Sequence, residues 1–122
     1  MKEFNVEILV EQYIKSGEIL YHTTINQEYR KHSKEMDKLI KIYKYLEKNL
    51  ELAKQAFPKM FENTNACVRM TVATHCLTLG IYIEEAEKIL ESIRKNEENK
   101  FISFEAEMTL KVWKEGNLKI YR

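Results

Sequence analysis

Apolar residues recur at helical intervals along almost the whole chain. From the N-terminus they fall at Val6, Leu9, Val10, Tyr13, Ile14, Leu20 and Tyr21, with polar residues between them, as on one face of an α-helix. Ser16-Gly17 interrupts this run. A glycine inside a helix costs about 1 kcal/mol relative to alanine, so the pattern predicts one helix over about 4–25 with a weak point at Gly17. Asn26 then reads as the cap of a second, long amphipathic helix over about 27–49. Its stripe is Tyr29, His32, Ser33, Met36, Leu39, Ile40, Tyr43 and Leu46, and its outer face carries Lys31, Lys34, Lys38, Lys41, Lys44 and Lys48. Leu52, Ala53, Ala56 and Phe57 make a short third helix, which Pro58 ends by pushing Phe57 out of helical geometry.

Asn63-Thr64-Asn65 is a cluster of capping residues. The stretch after it, Ala66 to Leu79, is small, apolar or weakly polar around nearly its whole circumference, which predicts a helix packed on several sides. Gly80 stands where a left-handed C-terminal cap is expected. A fifth helix over about 83–97 has the stripe Ala86, Ile89, Leu90 and Ile93, and the pairs Glu84–Lys88 and Glu91–Lys95 in the favourable order. Ser103 is placed to cap the sixth, with Phe104, Ala106, Leu110 and Trp113 inward, Met108 alongside, and Gly116 at its end. The tail after Gly116 is short, and either frays or packs through Leu118, Ile120 and Tyr121.

Composition agrees with an all-α chain. With Gly 3 and Pro 1 it lacks the turn residues that all-β folds use every 8–12 positions or so. A length of 122 residues predicts a single helical domain over 1–122. Lys+Arg 20 against Asp+Glu 19 leaves a formal charge of +1, and the basic residues are mostly lysine, both of which argue against a dedicated nucleic-acid binder. No run approaches the roughly 18 apolar residues of a membrane span, and the first residues carry charge rather than an apolar leader core. These features predict a cytoplasmic protein with Cys67 and Cys76 reduced and packed.

Candidate chemistry is sparse. His75 and Cys76 adjoin, but successive helical residues point about 100° apart, so they do not form a facing nucleophile–base pair. His22, His32, His75, Cys67 and Cys76 show no spacing of a metal site. The carboxylates Glu84, Glu85, Glu87, Glu97 and Glu98 fall on polar faces and a helix end. No catalytic residue, metal or cofactor is therefore expected. Ile42 and Tyr45 fall outside the stripe of the second helix and Tyr82 starts the fifth; all three are candidate partner-binding anchors, or core residues if stacked helices bury two faces. Arg69, alone among Val68, Met70 and Val72, is a fourth candidate contact, or a residue satisfying helix-end carbonyls or a neighbouring carboxylate.

Ala73 and Leu77 recur as Ala106 and Leu110, 33 positions later, each pair preceding a glycine. Together with Asn65-Ala66-Cys67-Val68-Arg69, Ala86-Glu87-Lys88-Ile89-Leu90-Glu91-Ser92-Ile93 and Glu107 to Gly116, this resembles the bacterial DUF2019 family, a helical domain of unknown function. The resemblance implies a HEAT/armadillo-like stack of about six helices in a right-handed superhelix, with a concave surface that grips partners and no reaction. By fold-level analogy with small bacterial immunity proteins, it suggests a non-catalytic protein-binding domain that neutralises a cognate toxin. The alternative is a HEAT-like protein that meets nucleic acid through the lysine face, which Glu35, Asp37 and Glu47 interrupt.

Overall fold

Six α-helices and one 3-10 turn form the regular structure of residues 4–120, the part of the chain that the computed structural model describes. Residues 1–3, 121 and 122 lie outside it, and with them the packing expected of Tyr121. The helices are α1 (Val6–Ile25), α2 (Tyr29–Glu47), α3 (Leu50–Ala56), α4 (Ala66–Leu79), α5 (Ile83–Asn96) and α6 (Lys100–Lys114), with the 3-10 turn Phe57–Met60 after α3; there is no strand among the described residues.

Asn5 starts α1, its side-chain oxygen accepting from the Ile8 N–H at 2.8 Å. The helix then runs unbroken through Gly17. This glycine is a crossing point rather than a weak point: a Cβ there would lie 2.3 Å from Val68 Cγ2 and 2.7 Å from Val68 Cα. Only the smallest residue lets α1 and α4 come this close. Asn26 closes α1 instead of opening α2, its backbone N–H bonding the His22 carbonyl at 3.0 Å. The turn that follows passes through Gln27 at φ 55, and α2 starts from Glu28 without a side-chain cap.

α3 ends at Ala56, ahead of Pro58 as expected, but Phe57 is not pushed out of helical geometry. Phe57 keeps helical angles (φ −62, ψ −42), is fully buried, and α3 tightens directly into the 3-10 turn. Pro58 lies in the first turn of that element, where its missing N–H leaves no bond unmade. Asn65 caps α4 by accepting from the N–H groups of Cys67 (2.9 Å) and Val68 (3.2 Å), and Gly80 ends it in the left-handed region at φ 77. Asn99, not Ser103, caps α6, accepting from the Ile102 N–H at 3.1 Å. Ser103 instead donates its hydroxyl to the Arg94 carbonyl at 2.8 Å, tying α6 to α5. In this register Ile102, Ala106 and Leu110 form the buried face at four-residue steps. Phe104, two positions along from Ile102, turns outward and is 58% exposed.

Neighbours in sequence pack as neighbours in space: α1 on α2, α4 on α5, and α5 on α6. The longer-range contacts run through α1 and α4, which pack on each other; α1 also meets α3, and α4 also meets α6 and the 3-10 turn. Residues from all six helices meet in one core, among them Leu9, Leu39, Ala53, Val72, Leu90 and Ile102. One carboxylate is taken inside with them. Glu35 is buried, accepts from the Ser16 hydroxyl at 2.6 Å and lies 3.6 Å from the Lys38 ammonium. Gln12 in turn donates to Ser16 at 3.0 Å, so the buried charge on α2 is held by a polar chain from α1.

Candidate binding groove

α2 rests on α1, and α6 rests on α5 and α4. Between α2 and α6 runs a groove of about 330 Å³ whose floor is α4. Met36, Asp37 and Ile40 of α2 form one wall, and Glu105 and Thr109 of α6 the other. Met70, Thr71, Thr74 and His75 supply the floor. Lys119 and Ile120, from the non-helical segment after Gly116, complete the lining. A second cavity of about 280 Å³ shares Thr24, His32 and Glu105 with the first and extends it past Gln27, Tyr29 and Phe101. The two cavities adjoin at these shared residues.

Its two histidines are neutral. His75 in the floor is 5% exposed, and burial lowers its pKa to about 3. Its Nδ1 lies 2.7 Å from the hydroxyl of Tyr13, a fully buried phenol whose pKa burial pushes well upward. Tyr13 therefore donates, His75 Nδ1 accepts, and the imidazole proton sits on Nε2. The rings of Tyr13 and Tyr43 meet the imidazole edge-on at 5.5 and 4.9 Å. Burial also lowers the pKa of His32 in the groove wall. The Thr23 hydroxyl lies 3.1 Å from the Leu20 carbonyl and 2.8 Å from His32 Nδ1, holding the imidazole in the groove wall. Across the groove, burial raises the pKa of the Glu105 carboxyl. The depression thus combines apolar walls with hydroxyls, two neutral histidines and the ionisable side chains of Asp37, Glu105 and Lys119.

The nucleophile considered in the sequence has no geometry behind it. His75 is engaged by Tyr13, and burial holds the Cys76 thiol up at about 12. Cys67, also in the groove lining, is pushed up to about 12 by burial and then by Glu105 and Glu97. Both cysteines are free and buried, and at neutral pH they are thiols rather than thiolates. Among the described residues no three His, Cys, Asp or Glu side chains converge on a metal position.

The four contact residues singled out in the sequence are not brought together, and none of them lines the groove. Ile42 is a core residue, 5% exposed, because α2 packs on both α1 and α3 and so buries a wider strip than a single stripe. Tyr45 is half-buried with its ring edge-on to Phe4 at 5.3 Å. Tyr82 occupies the left-handed region at φ 49, sets its ring against Phe61, and donates its hydroxyl to the Lys54 carbonyl at 2.7 Å. It ties the start of α5 to α3. Arg69 is half-buried, and its Nε is enclosed without a hydrogen-bond partner. Along the lysine face the side chains are exposed, with Lys31 3.6 Å from Glu28 and Lys38 3.6 Å from Glu35.

Tyr29 and Met36, assigned to the inner stripe of the second helix, face the groove instead of another helix and are 75% and 39% exposed. Phe101, which the sequence reading left aside, is 63% exposed at the same rim. An exposed aromatic in the first turn of α2 and another in the first turn of α6 were the available signal. It takes the packing of the two helices around α4 to place them at one cavity. No described helix is long and apolar enough to cross a membrane. No family model, curated protein or solved structure matches this chain.

Proposed function

We propose that this chain is a non-catalytic protein-binding domain, and that the groove between α2 and α6 is where it holds its partner. The observation that carries the reading is the groove itself: two adjoining cavities between α2 and α6, the larger floored by α4, with Met36 left exposed at the larger and Tyr29 and Phe101 at the other. Large apolar side chains at a concave rim are the kind of anchor that protein interfaces use. Packing of successive helices against one another supports the HEAT-like stack that the resemblance to DUF2019 implies, in which a concave face grips a partner. Neutralising a toxin by covering its surface is the specific form of this binding that we propose. The inert thiols and the engaged His75 support a role in holding rather than reacting.

The test is capture from the native cell with tagged protein, with and without nuclease, at low and moderate salt. One stoichiometric protein retained under all four conditions is the expected result. Recovery of nucleic acid, released steeply by salt, would transfer the function to the lysine face instead.

A further inference from the structure

The end of the groove nearest Tyr29 has a distinct chemistry. Tyr29 from α2 and Phe101 from α6 line the same cavity and keep most of their rings open to solvent. Glu105, one turn along α6 from Phe101, lines it as well. Among the described residues its carboxylate has no hydrogen-bond or ion-pair partner. Aromatic faces and an unpaired carboxylate both attract positive charge. Burial already disfavours the ionised form of Glu105, and a cation beside it would offset that. The two helix N-termini at this end would favour an anion, but they are already occupied. Asn99 caps α6 while its own N–H donates to Glu97 at 3.0 Å, and the acidic Glu28 stands at the start of α2.

The chain's own tail supplies a second, independent observation. In the larger cavity, the non-helical segment after Gly116 places Lys119 and Ile120 in the same lining as Asp37 and Glu105, while Leu118 packs on the core. The groove therefore already accepts a basic residue flanked by apolar ones in a non-helical segment, next to acidic side chains.

We infer that the open end of the groove takes the lysine or arginine side chain of a non-helical segment of the partner protein, with its cation against the rings of Tyr29 and Phe101 and the carboxylate of Glu105. This rests on the groove being the partner site. Apolar residues beside the basic one lie along Met36 and Met70, which line the same cavity as Ile120. The neutral His32 adds no competing charge.

The test is a titration of the isotopically labelled whole chain, followed by amide chemical shifts. The probes are acetyl-Leu-Arg-Ile-amide and its citrulline counterpart, which keeps the shape of arginine but is uncharged and has a carbonyl oxygen in place of one NH2 donor. The arginine peptide is expected to move the amides of Tyr29, Phe101 and Glu105 and to bind about tenfold more tightly than the citrulline peptide. Glu105→Gln, a change of nearly equal size and shape whose amide spectrum also reports folding, should remove most of that preference. Equal binding of the two peptides, or no shifts at these residues up to the solubility limit, would overturn the assignment. So would a Glu105→Gln protein that retains the full preference. If groove-lining variants abolish partner capture but Glu105→Gln leaves it intact, the cation site falls while the groove remains the partner site.

Discussion

Gly17 shows how one residue fixes the relation between two helices. Alanine at this position would gain about 1 kcal/mol of helix propensity. It would also place a methyl group 2.3–2.8 Å from Val68 Cγ2, Cα and N. Two of those three atoms are backbone, so α4 as a whole must shift. Overpacking of this kind costs typically 1–3 kcal/mol, occasionally more, and here it outweighs the propensity gain. Gly17→Ala is expected to lose about 2 kcal/mol, seen as a lower urea midpoint at unchanged slope. Adding Val68→Ala should not restore stability, since Val68 Cα and N remain in the way. His75 gives a pH signature at the same scale. Its native pKa, about 3, lies below the ordinary histidine value, so between the two the unfolded chain binds a proton that the folded chain does not. Its contribution is fully present above about pH 6.5 and is lost as pH falls towards 3, at a slope of about 1 kcal/mol per unit. Urea unfolding at several pH values should show this acid limb, and His75→Gln, which keeps an acceptor for Tyr13, should flatten it.

At the scale of elements, the caps carry measurable stability. Asn65 holds two N–H groups of α4, and Asn99 holds one of α6. Replacing either by alanine should cost about 1 kcal/mol in urea melts, with Asn65 the more costly of the two. Most of the elements were legible in the sequence because 3.6-residue periodicity survives any tertiary arrangement. The central place of α4 was legible too, since apolar and small residues all round its surface have to be covered by something. The misplacements have local causes. Asn26, Ser103 and Pro58 are residue types that cap or break helices, but each type is compatible with more than one site. Asn26 closes a helix, Ser103 bonds across to the Arg94 carbonyl, and Pro58 fits the first turn of the tightened helix that follows α3. The cap at Asn5 directly precedes the apolar run of α1, whereas that at Asn99 lies more than a turn before Phe104, the first residue of the stripe expected for α6.

At the scale of the molecule, the groove exists because α2 and α6, far apart in sequence, stand on either side of α4. Periodicity along one helix carries no information about that pairing, and so Tyr29 was assigned to a core stripe and Phe101 drew no attention. Ile42 was set outside the stripe for the converse reason, since nothing in α2 alone reveals that α3 also covers it. The same burial fixes the reactivity of the whole chain towards thiol reagents. Cys67 and Cys76 are 3% and 0% exposed, so both should resist an aromatic disulfide reagent in the native protein and react together on unfolding in urea. Fast labelling of either thiol in native conditions would place it at the surface.

The central claim is that a protein partner lies in the groove, and charge reversal on two faces tests it most directly. Met36→Glu with Phe101→Glu changes exposed groove positions, and Lys41→Glu with Lys44→Glu changes exposed positions on the lysine face. All four substitutions spare the core. The prediction is that the groove pair abolishes capture of the partner while the lysine pair leaves it unchanged, with both proteins unfolding at the wild-type urea midpoint. Capture that survives the groove pair and is lost with the lysine pair would contradict the account.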